Sequence, residues 1–112
     1  MDVQATFDAL ADATRRRILA LLIQENELCV CELSTALDEI QPKISRHLGV
    51  LKDAGVVTPR RNGTWIFYRL AEEMPQWAKA LLLPLTAGAV AEFKADRKRL
   101  IAWAGRPERD TA

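Results

Sequence analysis

The chain has 112 residues, 49% of them hydrophobic and 28% charged, with 5 Gly, 5 Pro, 2 Cys and 1 His, which fits one compact domain and not two separate cores. Its longest apolar run, Ile18–Ile23, is far short of the roughly 18 residues of a membrane span, and no basic start precedes an apolar stretch, so a soluble cytoplasmic protein without export signal or membrane partner is expected. Two cysteines are too few for a disulfide-stapled scaffold, which implies a reducing compartment. The formal charge of +1 divides unevenly: 3 basic and 8 acidic side chains in residues 1–40, 6 and 1 in residues 41–70, and 7 and 6 in residues 71–112. A basic middle third is the pattern of a local polyanion-binding surface.

In chain order, Val3 to Ala11 carries Phe7 and Leu10 at helical spacing, and Asp12 is placed to cap a second helix through Ile18, Leu19 and Leu22. Glu25-Asn26-Glu27 reads as a turn. Val30, Leu33 and Leu37 then repeat at i, i+3 and i+7 over a short third helix, closed by Asp38 to Ile40. A fourth helix opens with Gln41 at a capping position and Pro42 in the first turn, where a missing N–H costs nothing, and runs to Ala54 with Gly55 as a left-handed end. From Val56 the residues become β-formers. Val56-Val57-Thr58 and Trp65-Ile66-Phe67-Tyr68 flank Asn62-Gly63, a tight-turn dipeptide whose two residues are expected at positive φ, and Pro59 suits an edge strand. Beyond Pro75 the chain reads as helical, broken near Pro84, with Trp77, Leu81, Phe93, Leu100, Ile101 and Trp103 as apolar anchors. The order of elements is that of a winged helix-turn-helix: mainly α with a β-hairpin wing, one domain over 1–104, recognition helix about 41–54, wing about 56–70, helices about 75–104, and a disordered tail at 105–112.

A helix-turn-helix inserts its second helix into the DNA major groove, so that helix needs one apolar and one polar stripe. Ile44, Leu48 and Leu51 supply the first, and Lys43, Arg46, His47 and Val50 are placed opposite. Gln41, Lys43 and Ser45 lie in the first turn. Gln, Arg and Lys have the donor geometry to read adenine, guanine and phosphate. Arg60, Arg61, Asn62, Gly63 and Thr64 at the wing tip suit a flanking backbone or minor groove. The bland alternative is an amphipathic helix with a solvated charged face, and for His47 a buried or solvated histidine weighs as much as a DNA contact.

Cys29 and Cys31 stand two residues apart at the start of the third helix. Paired thiolates chelate soft ions such as Zn(II), Cd(II) or As(III). In a regular helix, i and i+2 point about 200° apart, so gripping one small ion is expected to unwind the first turn. Two other readings stand beside this one: Cys31 facing the core with Cys29 exposed, both as small apolar fillers, or a Cys29–Cys31 disulfide acting as a redox switch. A thiol enzyme is set aside, because there is no Cys-x-x-Cys pair and no Cys/His set.

The segment Glu27-Leu28-Cys29-Val30-Cys31-Glu32-Leu33, followed by Gln41-Pro42-Lys43-Ile44-Ser45-Arg46-His47-Leu48, Leu51-Lys52-Asp53-Ala54-Gly55-Val56-Val57 and Arg60-Arg61-Asn62-Gly63, strongly resembles the arsenite-responsive branch of the ArsR/SmtB metalloregulatory repressors. Ala11-Asp12-Ala13-Thr14-Arg15-Arg16-Arg17-Ile18-Leu19 fits as well. The resemblance covers about residues 5–72 and implies a homodimer joined through its N- and C-terminal helices, bound to an imperfect palindromic operator of an arsenic-resistance operon. It implies As(III) or Sb(III) as inducer, no catalytic cofactor, and Cys29 and Cys31 as ligands. Members with a third cysteine have it three residues after the second, where this chain has Ser34. Similar cadmium and lead sensors recruit extra cysteines from an N-terminal arm, and none precedes Cys29 here; zinc sensors of the family use Asp/His clusters on the last helix, and Phe93 to Trp103 has no histidine, so the resemblance favours arsenite or antimonite. Another thiophilic metal or cysteine oxidation is the alternative trigger.

Overall fold

Local capping chemistry sets the first helices. In the computed structural model, which describes residues 1–86 and 88–109, helix α1 (Val3–Leu10) is capped by Asp2, whose carboxylate accepts from Ala5 N at 2.7 Å. Helix α2 (Ala13–Glu25) is capped by Asp12, which accepts from Arg15 N at 3.0 Å. Each cap satisfies a backbone donor that has no partner inside its helix. Asn26, at φ 72°, ends α2. The chain then forms a three-residue strand, β1 (Glu27–Cys29), before entering α3 (Val30–Leu37).

Asp38, in the left-handed region at φ 55°, stops α3 and turns the chain through Glu39 and Ile40 into α4 (Gln41–Asp53). Ser34 Oγ donates to the Glu39 carbonyl within this turn. Gln41 is the first helical residue and not the cap; Ile40 holds that place without a side-chain bond, and Pro42 follows in the first turn. Gly55, at φ +81°, lets the chain leave α4 as expected.

The hairpin consists of β2 (Val57–Asn62) and β3 (Trp65–Leu70), paired from Val57↔Leu70 to Asn62↔Trp65. That register puts Gly63 and Thr64 in the loop, and among the described residues of the hairpin only Gly63 has positive φ. Glycine at the first loop position replaces the expected Asn-Gly turn, because the ladder extends one residue further along β2. The sheet has three strands in the order β1-β3-β2, with Cys29 opposite Phe67. Pro59 therefore sits on an edge strand, where its missing N–H breaks no second ladder.

Ile18, Leu19 and Leu22 of α2 meet Leu33 and Leu37 of α3 and Ile44, Leu48 and Leu51 of α4 in one core. Each such side chain contributes about 1.5–3 kcal/mol by leaving water. Helix α5 (Gln76–Leu81), the single turn α6 (Leu83–Thr86) and α7 (Phe93–Ala102) close the fold. The break falls at Leu82, before Pro84. Of the apolar residues expected as anchors here, Leu100 alone is fully buried; Leu81, Phe93 and Trp103 are half-buried, and Trp77 and Ile101 are exposed. On α1, Thr6 and Ala9 face inward, whereas Phe7 is 51% exposed and Leu10 half-buried. Among the described residues no helix is long and apolar enough to cross a membrane. The expected tail is corrected over 105–109: Arg106 and Arg109 are tied back onto the domain by ion pairs. Residues 110–112 lie outside the described residues.

Candidate nucleic-acid interface and cysteine site

Helix α4 presents Gln41, Ser45, Arg46 and Val50 to solvent, while Ile44, Leu48 and Leu51 are fully buried. Lys43 is half-buried, its Nζ donating to Glu39 Oε1 at 2.9 Å. His47 departs from its expected place on the polar stripe: it is only 7% exposed. Its Nδ1 lies 3.1 Å from Arg15 Nη1 and 3.9 Å from Asp12 Oδ1, and Arg15 is itself held by the carbonyls of Ala9 and Asp8. The periodicity contained this signal. His47 follows Ile44 by three and precedes Leu51 by four, so it completes the i, i+3, i+4, i+7 stripe that buries Leu48.

With Arg15 donating, His47 Nδ1 is the acceptor of a neutral ring. Burial pushes the imidazole below its ordinary value; Asp12 opposes that shift, and Arg15, Arg46 and Lys43 add to it. A histidine whose folded value is lowered contributes stability that is complete above the unfolded value of about 6.5 and is lost as pH falls below it. Thermal melts between about pH 8 and 5 are therefore expected to show a loss below about 6.5 that flattens in His47→Gln. Parallel curves for the two proteins would remove His47 as the source.

On the wing, Arg61, Gly63 and Thr64 are exposed, and Asn62 is half-buried with its Nδ2 unpartnered. Arg60 points elsewhere. Its guanidinium grips Glu27 through Nη2 and Nε at 2.7 and 2.8 Å and lies 5.7 Å from the Phe67 ring centre. That hydrogen-bonded pair holds the Glu27 carboxyl below its ordinary value. Arg60 thus ties β2 to β1. Trp65 and Ile66, read from the sequence only as β-formers, are exposed beside the wing tip.

The cysteines sit where strand becomes helix. Cys29 is the N-cap of α3, in extended conformation at φ −83° and ψ 167°, and Cys31 is the second residue inside the helix. The 200° separation of a regular helix therefore does not apply, and the two side chains meet without unwinding a turn. The structure joins them in a disulfide, with Cα atoms 5.3 Å apart, within the ordinary span for such bridges. Their exposure is the reverse of the core-filler reading: Cys29 is buried and Cys31 half-buried. Cys29 Sγ accepts from Glu32 N at 3.3 Å, and Glu32 Oε1 accepts from Cys29 N at 2.9 Å, which makes a capping box. Glu32 was not singled out from the sequence, although its place three residues after the cap is the signature of that motif.

A capped helix, a turn, a second helix with an exposed polar face and a basic hairpin define a winged helix-turn-helix DNA-binding protein. Residues 12–58, from the α2 cap into β2, match the family described as bacterial regulatory protein, arsR family. The chain belongs to that family of DNA-binding transcriptional regulators. It is 45% identical over 106 residues to the arsenic resistance transcriptional regulator ArsR1 of Pseudomonas putida, covering 95% of this chain and 83% of the relative. It is 50% identical over 76 residues to the arsenical resistance operon repressor of Escherichia coli, covering 68% and 65%. Among solved structures, the homodimeric winged helix-turn-helix domain of Mb0332 from Mycobacterium bovis superposes with a TM-score of 0.65 at 34% identity, covering 85% of this chain and 82% of that one.

Proposed function

We propose that this chain is a cytoplasmic, homodimeric repressor of an arsenic-resistance operon, released from its operator when As(III) or Sb(III) binds Cys29 and Cys31. The observation that carries the reading is the position of the two sulfurs: side by side at the N-terminus of α3, the helix that supports α4. The relatives from Pseudomonas putida and Escherichia coli, both named for arsenic resistance, support the metalloid as the signal. Two small-molecule thiols, themselves joined into a disulfide, reduce the bridge to two thiols, whose thiolates are soft donors that suit a trivalent metalloid. With Ser34 where some members have a third cysteine, the third position would be filled by solvent, by a small-molecule thiol or not at all.

In the DNA-bound state, Gln41, Lys43, Ser45 and Arg46 address base edges and phosphates, and Arg61, Asn62, Gly63 and Thr64 follow the flanking backbone. Arg60 contributes by holding the wing to β1. The exposed Val3 and Phe7 on α1 and Trp77 and Ile101 on α5 and α7 are the apolar surface a second copy covers, which accords with the homodimeric Mycobacterium bovis neighbour. Two recognition helices on one DNA face then sit about 34 Å apart. Cys29 is both ligand and cap. Drawing its sulfur away from Glu32 N loosens the first turn of α3, and α3 reaches α4 through the Ser34–Glu39 and Glu39–Lys43 bonds.

The test is anisotropy of the promoter duplex, titrated with arsenite, antimonite, cadmium and zinc in the presence of reductant. Release by the first two and not by the others supports the reading; release by none overturns it. The disulfide itself favours a second reading, in which loss of two protons and two electrons from the thiols to a peroxide-type oxidant closes the bridge and releases DNA. Dissociation by peroxide without reductant, and none by arsenite with it, would select that reading.

A further inference from the structure

Cys29 is 2% exposed, so whatever reacts with it must first uncover it. The C-terminal segment lies against the element that carries it. Arg106 Nε donates to Glu32 Oε2 at 2.7 Å, and Arg109 Nη2 meets the same oxygen at 2.6 Å. Glu32 is fully buried, and its other oxygen holds Cys29 N. Arg109 also donates through Nη1 to the Glu27 carbonyl at 2.8 Å and stacks 4.2 Å from the centre of the Phe67 ring, the residue paired with Cys29 across the sheet. Arg106 reaches Glu25 at 3.8 Å. The chain can turn back here because residue 105 is glycine: a Cβ at that position would lie 2.6 Å from Cε2 of the Trp103 indole.

A buried carboxylate is stable only while it is paired and hydrogen-bonded. Two guanidinium groups meet that need from the C-terminal side, and the Cys29 backbone meets it from the other. We infer that Gly105–Arg109 is a latch over the cysteine pair, with Arg106 and Arg109 as positioning residues that act through Glu32 to keep Cys29 covered and capped. When the latch opens, Glu32 loses its charged partners and turns toward water, releasing Cys29 N and exposing the sulfur. The rate at which any thiol-directed ligand enters is then set by latch opening. The relevance of this to induction rests on the metalloid reading above; the latch itself does not.

The experiment uses the full chain, fully reduced, with Cys31→Ser so that Cys29 alone reports. Its alkylation by iodoacetamide is followed at fixed pH and located by mass spectrometry, with no metalloid present. Arg106→Ala/Arg109→Ala is expected to accelerate alkylation about tenfold by raising the population of the open local state, and Arg106→Lys/Arg109→Lys to restore much of the protection. Leu19→Ala, a core substitution away from the latch, controls for general destabilisation. An unchanged rate in the alanine pair overturns the latch, as does an acceleration that Leu19→Ala reproduces at equal loss of melting temperature. Operator release by arsenite is measured separately, so failure of the metalloid reading leaves the alkylation result intact.

Discussion

Cys29→Ser and Cys31→Ser are each expected to keep operator affinity within about threefold of the parent while raising the arsenite concentration needed for release by about a hundredfold or more, since an effector shifts an equilibrium only by its differential affinity for the two states. The structure makes the first substitution informative because Cys29 has two roles. As the N-cap of α3 its sulfur accepts from Glu32 N, and serine, a preferred N-cap residue, can take over that bond. Cys29→Ala cannot, and should cost about 1 kcal/mol of stability in urea unfolding. Serine therefore separates ligation from capping, whereas alanine removes both. Cys31 caps nothing, so its serine and alanine variants should behave alike. If Cys29→Ser instead lost operator binding, the sulfur would be a structural element of the DNA-bound state and the division of roles would fail.

What was legible in the sequence was local. Asp12 before α2, Pro42 in the first turn of α4 and Gly55 after it each act within a few residues, and all three lie where their chemistry indicated. The Gln41 cap, the Asn62-Gly63 turn and the burial of His47 were local misreadings; the others arose where a distant partner decides. β1 has three residues, too few for a periodic signal, and exists because β3 pairs with it some forty residues later. That strand pulls Cys29 out of the helix and changes how the two thiols meet. Arg60 resembled a wing-tip contact until Glu27, on β1, claimed its guanidinium. Phe7 and Ile101 carry helical spacing, yet no core of this chain covers them; spacing identifies an apolar face without saying whose surface buries it. Arg106 and Arg109 read as tail because their partner, Glu32, lies more than seventy residues upstream.

Asp96 is a further long-range case and carries the largest expected effect on stability. It sits on α7, fully buried, and Arg17 of α2 grips it with Nε at 3.0 Å and Nη2 at 2.8 Å, while Arg99 Nη2 donates at 2.7 Å. Both arginines also reach the last turn of α3: Arg17 Nη2 donates to the Leu37 carbonyl at 3.1 Å and Arg99 Nε to the Ala36 carbonyl at 2.7 Å. Those carbonyls have no partner within their own helix, so one carboxylate aims two cations at the end of α3 and joins three helices. Asp96→Ala is expected to destabilise the fold by about 3 kcal/mol or more, the cost typical of removing one member of a buried pair. Asp96→Asn should cost less, since its oxygen can still accept from Arg17, although its amide then faces a guanidinium. Because α3 leads directly into Asp38 and the start of α4, operator affinity should fall at temperatures where the variant is still folded. A double-mutant cycle with Arg17→Ala isolates the interaction, and residues in one such network couple by about 0.5–3 kcal/mol. A loss under about 1 kcal/mol for Asp96→Ala, or additivity in the cycle, would mean that α7 is held by Leu100 and its apolar neighbours and that the triad only orients the two arginines.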